Sequence, residues 1–211
     1  MSEAAERLKT TLTEAIAAHD RDVAVAAALD AVRSGSLVIG ELYDLLCGIL
    51  KDVGASWQAG ETRVWQEHFA TATVRTIVEA CHPLVIERAA SPVGRTVLLA
   101  TPPEEYHDLG LRFVADRFEL AGWSVHLLGA SLPVEEMTQA VGALRADAVV
   151  LSASTHFHRI ALRGYVDTLR AAHPILRVWV GGTAFAIEHD GWSSDELLHV
   201  AAIPSLAAGM G

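Results

Sequence analysis

The sequence predicts an all-α part followed by an α/β part, and a change in hydrophobic period predicts it. Up to about residue 90, apolar residues recur at three- and four-residue spacing in runs joined by short breaks. From Thr96 onward, short apolar runs alternate with longer amphipathic ones, as strands and crossover helices do in a parallel sheet. Between the two lies Ala89 to Gly94, AASPVG, whose proline, glycine and small residues suit a linker. The expected division is residues 1–90 as a four-helix bundle and 91–211 as a doubly wound parallel-sheet domain.

The first helix is expected over Glu3 to His19, with Leu8, Leu12, Ala15 and Ile16 on one face. Asp20 is a candidate cap for a second, whose inward stripe is read as Val23, Ala26, Ala27, Leu29, Asp30 and Val32. Ser34-Gly35-Ser36 breaks the chain before a third helix with Ile39, Leu42, Leu45, Leu46, Ile49, Leu50 and Val53 inward, ending near Trp57. A tight turn at Ala59-Gly60 leads into a fourth helix from about Glu61 to Glu87. Short connections of this kind are the pattern of an up-and-down bundle.

Strands are expected at Thr96–Ala100, Ser124–Leu128, Ala148–Ser152 and Arg177–Val180, with a short fifth at Leu198–Ala201. Helices fall between them at Asp108–Ala121, Pro133–Leu144 and Arg159–Ala172, and a short one near Ser194–Leu197. Pro204 to Gly211 leaves little room for a closing helix. In such an alternation, ligands bind where loops leave the carboxyl ends of the strands.

Composition narrows the function. Of 211 residues, 51% are apolar, so a packed core needs no staples. The net charge of −10 and the lack of a lysine or arginine run exclude direct nucleic-acid binding by this chain. Cys47 and Cys81 form no CxxC, so a reducing compartment is expected. A charged start, MSEAAERLK, and the absence of a long apolar run point to a cytoplasmic protein with no membrane partner. Neither G-x-G-x-x-G after the first strand nor a P-loop is present, Ser152 lacks nucleophile-elbow glycines, and Glu188-His189-Asp190 reads as a surface turn; an enzyme is not expected.

The first strand opens into Glu104-Glu105-Tyr106-His107-Asp108-Leu109-Gly110, which contains E-x-H-x-x-G. An imidazole held out of a loop can give a nitrogen lone pair to a metal if its other nitrogen is hydrogen-bonded, and Glu105 is the candidate acceptor. Gly110 lets a bulky group approach the backbone. The loop is similar to the D/E-x-H-x-x-G signature of cobalamin-binding domains, which have a Rossmann-like, flavodoxin-like fold. By that resemblance His107 displaces the cofactor's dimethylbenzimidazole tail and is the cobalt ligand, with Glu105, Asp108 and Gly110 beside it. The same families carry S-x-L/T after the third strand and Gly-Gly after the fourth, lining a channel for the displaced tail. Here Ser152-Ala153-Ser154-Thr155 and Gly181-Gly182-Thr183 stand in those places, with Ser154 where leucine or threonine is usual.

Trp57-Gln58 and, further on, Val64, Glu67 and His68 resemble the W-H-x(8)-E-H segment of CarH-type adenosylcobalamin photoreceptors. The resemblance implies that the bundle caps the upper axial face, where an indole stacks on adenine and a carboxylate accepts from ribose hydroxyls. Gln58 replaces a histidine that binds cobalt after photolysis in that family, so bis-histidine ligation from that position is not expected. The DNA-binding module of those repressors is expected to be absent, so a light signal would pass to a homo-oligomer or to another partner. Freestanding domains of this kind also resemble photocobilins, which hold biliverdin beside cobalamin; His156, His158, Arg159, Trp179 and Trp192 are the candidate lining. The competing expectations are a corrinoid methyl-carrier subunit serving a methyltransferase and a receiver-like domain without cofactor, though the latter's aspartate cluster and lysine are missing.

Overall fold

The computed structural model describes residues 2–186 and 191–208, and its chain divides into two compact units, Met1–Glu87 and Arg88–Gly211. Glu188-His189-Asp190 lies outside the described residues. The first unit holds α1 (Glu3–Ala17), α2 (Arg21–Arg33), α3 (Ile39–Gln58) and α4 (Val64–Arg88, its last residue in the second unit). Caps set the helix starts: Ser2 accepts from the Ala5 N–H, Asp20 from the Val23 N–H, and Glu41 from the Val38 N–H. The inward stripe of α2 differs from the expected one. It is Ala24, Ala28 and Val32, whereas Val23 is exposed. Alanines one turn apart let α2 approach α1 closely, and that contact outweighs the greater apolarity of Val23.

The second unit is built on a parallel sheet of β1 (Thr96–Ala100), β2 (Ser124–Gly129), β3 (Ala148–Ser152) and β4 (Arg177–Gly181) in the order β2-β1-β3-β4. Crossovers are α5 (Leu109–Leu120), α6 (Val134–Leu144) and α7 (His156–Ala172). Alternate strand residues feed opposite cores. Val97, Leu99, Val150 and Trp179 pack with Leu111, Ala115 and Phe118 of α5, while Leu98, Val149, Leu151 and Val180 pack with α6 and α7.

The fifth strand is not formed. Its apolar run contributes one parallel bridge, Val180↔Leu197, with hydrogen bonds from Val180 N–H to Glu196 O and from Leu198 N–H to Val180 O. Leu197 packs on the α6/α7 core, and Leu198 and Val200 on the α5 core, so the segment straps the sheet edge. The expected helix at Ser194–Leu197 is a turn, because Glu196 is pulled across to Arg163 at 3.2 Å and Arg170 at 2.8 Å. A single closing turn, α8 (Ile203–Leu206), buries Ile203. α7 begins three residues before the sequence expectation, at His156, because Thr155 caps it by accepting from the His158 N–H. No helix among the described residues is long and apolar enough to cross a membrane.

Candidate functional site

The chain passes from β1 to β2 on one side and then returns to β3 on the other, so the order reverses between β1 and β3. Loops leaving the carboxyl ends diverge there and open a crevice. The loop after β1 carries Glu105 and His107, and the loop after β3 carries Ser154.

That first loop is pinned at several points. Thr101 Oγ1 donates to Glu105 O at 2.5 Å and accepts from the Ser131 N–H at 2.9 Å, and the Leu132 N–H reaches Thr101 O at 3.0 Å. Ser131 Oγ accepts from the Glu104 N–H at 3.0 Å, joining two non-glycine residues that both have positive φ.

Glu105 is only 1% exposed, and donors surround both carboxylate oxygens. Oε1 receives the His107 N–H at 3.0 Å and lies 2.6 Å from His107 Nδ1. Oε2 receives the Ser154 N–H at 2.7 Å and its hydroxyl at 2.6 Å. Burial pushes the carboxyl's pKa up, but the hydrogen bonds from the Ser154 hydroxyl, the His107 and Ser154 backbone and the His107 ring outweigh it, lowering the value from 4.5 to about 2.

The ionised carboxylate fixes the imidazole. An oxygen without a proton requires His107 Nδ1 to carry one, so Nε2 keeps its lone pair. The His107 side chain is 76% exposed, so that lone pair is offered outward. A buried acceptor thus orients a ring whose free nitrogen can take a metal.

Because the folded carboxyl of Glu105 titrates below its unfolded value, its stabilisation is fully present above about pH 4.5 and is lost as pH falls toward about 2. Melting temperatures followed by circular dichroism should fall across that window. Glu105→Gln should flatten the fall, and an equal slope in both proteins would show that this carboxylate does not carry it.

The other expected residues line the same edge. Thr183 Oγ1 donates to Ser154 O at 3.0 Å, and the Ala153 N–H reaches Gly181 O at 3.0 Å, which locks the β3 and β4 loops together. Gly182 has φ +104°, and a Cβ there would stand 2.3 Å from Ala153 O and 2.8 Å from Ser152 Oγ. Gly110 and Gly181 differ: a Cβ on either meets nothing within 4 Å. Asp108 is the N-cap residue of α5, and its carbonyl accepts from the Leu111 N–H at 2.9 Å.

In the helical unit, the turn after α3 is closed by Gly60 N–H to Trp57 O at 2.9 Å and Glu61 N–H to Ser56 O at 3.0 Å, with Gly60 at positive φ. The end of α3 and the start of α4 therefore lie together. Trp57, Val64 and Trp65 are each about half exposed, an uncommon density of large apolar groups at one helical turn. Glu67 Oε1 accepts from Thr71 at 2.8 Å, Oε2 lies 3.6 Å from His68 Nε2, and Gln58 is exposed.

The bilin lining expected from the sequence is not assembled. Trp179 belongs to the core on the α5 face, packed with Phe118 and Trp123, while Trp192 belongs to the opposite face, edge-on to Phe185 and beneath Arg163 at 3.6 Å. A sheet separates the two indoles. Arg159 is buried and its Nη2 meets His156 Nδ1 at 3.0 Å, while His158 turns toward Glu105, its Nδ1 2.9 Å from Oε2.

Sequence reasoning missed Thr101, Ser131 and the meeting of His158 with Glu105. It placed Ser154 among the tail contacts, although that side chain holds the carboxylate. The only local sign for His158 was its place three residues after a helix cap.

The residues present suit a corrinoid. One imidazole lone pair faces outward with its other nitrogen anchored, hydroxyls edge the crevice, and space stands open at Gly110 and Gly181. A model of the B12 binding domain matches residues 95–203, and a second B12 binding domain model matches residues 8–82. The chain is 35% identical over 184 residues to the HTH-type transcriptional repressor CarH of Myxococcus xanthus, covering 85% of this chain and 59% of that protein. It is 26% identical to dimethylamine corrinoid protein 1 of Methanosarcina acetivorans, over 84% of each. The chain spans about three fifths of the length of the repressors it matches. The monomethylamine corrinoid protein of Methanosarcina barkeri has the same fold, with a TM-score of 0.79 at 16% identity over 98% of this chain and 99% of that one. With one of these domain models matched over more than half its length, the chain belongs to the B12 binding domain family.

Proposed function

We propose that this chain is a light sensor that takes adenosylcobalamin with its dimethylbenzimidazole tail displaced and His107 Nε2 as the lower cobalt ligand. Glu105 orients that imidazole. Asp108, Gly110, Ser152, Ser154, Thr155, Gly181, Gly182 and Thr183 bound the tail channel, while Trp57, Gln58, Val64, Glu67 and His68 of the helical part contact the upper ligand. Bound adenosylcobalamin supplies a cobalt–carbon bond that visible light cleaves. The exposed indole and valine at the α3–α4 turn, with the Glu67 carboxylate one turn on, carry the reading, because an apolar surface of this kind suits a bulky upper ligand. Loss of contacts at Trp57 and Glu67 shifts the helical part and so changes self-association or the binding of a partner protein. The similarity to CarH supports this reading. Biliverdin has no place in it, since Trp179 and Trp192 face opposite sides of the sheet.

A second reading, a methyl-carrier protein serving a methyltransferase, is favoured by the dimethylamine corrinoid relative, which matches over most of both chains. The two are separated by loading the protein with adenosylcobalamin in darkness and recording its visible spectrum and gel-filtration volume before and after illumination. A converted spectrum with a shifted volume is expected. No change of either on illumination, together with methyl transfer from bound methylcobalamin to a thiol, would establish the carrier instead.

A further inference from the structure

Glu105 is held from a direction that its own loop does not supply. α7 starts at His156 after the Thr155 cap, and its first turn places His158 over the buried carboxylate. Nδ1 of His158 stands 2.9 Å from Glu105 Oε2, and its side chain is only 13% exposed. The same nitrogen lies 2.9 Å from Thr155 Oγ1, so the cap also fixes the ring's rotation. A carboxylate that stays ionised offers no proton at this contact. The ring must therefore present Nδ1–H, since a lone pair at 2.9 Å would meet another lone pair.

Oε1 then serves His107 alone, through its backbone N–H and ring, while Oε2 is taken by Ser154 and His158. With Ser154 only, the carboxylate can pivot about that residue. Ser154 Oγ lies 3.1 Å from His107 Nδ1, so a pivot would let the hydroxyl, rather than the carboxylate, meet the ring. A hydroxyl accepts from Nδ1–H and donates to a bare Nδ1 equally well, and so does not select a tautomer.

We propose that His158 is a positioning residue for the cobalt ligand: its Nδ1–H pins Glu105 from α7, so that His107 keeps Nδ1 protonated and Nε2 free before any corrinoid arrives. The role rests on His107 being the ligand, as proposed above. Support of this kind around a ligating imidazole is worth about 10–100-fold in affinity.

The test compares His158→Leu, which fills the space without a donor, with His158→Asn, whose amide N–H can take the place of Nδ1–H. Ring ¹⁵N shifts of His107 are read in cofactor-free protein, and affinity is read by titration with aquocobalamin. Wild type and His158→Asn should show His107 with Nδ1 protonated, whereas His158→Leu should show mixed tautomers and about 10-fold weaker binding. Wild-type shifts and affinity in His158→Leu, or an asparagine variant no better than leucine, would overturn the proposal. If His107→Ala binds aquocobalamin as wild type does, the ligand reading itself fails, and the nitrogen shifts still decide whether His158 sets the tautomer.

Discussion

Replacing His107 with alanine should remove cobalamin binding while leaving the protein folded. The argument is a comparison of magnitudes. The His107 side chain is 76% exposed, and its ring makes one strong contact, to Glu105 Oε1 at 2.6 Å. Glu105 keeps Ser154's backbone and hydroxyl donors and the His107 backbone N–H in the variant, so the stability lost is that of one hydrogen bond, about 1 kcal/mol. Losing a group that merely orients a ligand costs about 10–100-fold in affinity, so losing the ligand itself should cost roughly 100-fold or more. Titration with aquocobalamin, beside thermal melts of the same preparations, gives both numbers. A variant that melts like wild type and binds with wild-type affinity would remove His107 from the cobalt.

The reason so much of this site was legible in sequence is that E-x-H-x-x-G is a local pattern. Carboxylate, imidazole and glycine sit on one loop, and a buried strand before it with a helix after it fixes where that loop points. The strands were legible because each is buried on both faces and reads as a continuous apolar run. What stayed hidden depends on residues far apart in sequence. His158 approaches Glu105 only because β3 lies beside β1, and no spacing rule encodes that neighbour. The apolar run at Leu198–Ala201 misled for a related reason. Its residues are apolar because they cover an edge of both cores, a burial that sequence cannot tell from strand pairing. In α2 the guide that failed was size, since close packing selected alanine over valine for the inner stripe.

Two adjacent glycines should separate folding from binding. Gly182 has φ +104°, where an L side chain is strained by about 1–3 kcal/mol. An added Cβ would also stand 2.3 Å from Ala153 O, a backbone atom that cannot rotate away because it accepts from the Ala184 N–H at 3.2 Å. Relieving the clash means parting the β3 and β4 loops, an overpacking cost of about 1–3 kcal/mol more. Gly182→Ala should therefore destabilise the protein by about 3 kcal/mol, lowering its melting temperature by roughly 6–12 °C. Gly181→Ala meets no atom within 4 Å and has no positive φ, so its melt should stay near wild type. Its methyl would instead enter the open space where the β4 loop borders the proposed tail channel, and aquocobalamin affinity should fall. If both variants melt alike, interlocking of the two loops does not set stability. If Gly181→Ala binds as wild type does, the tail runs elsewhere, and the loop after β4 is scaffolding for Ser154 and not a wall of the site.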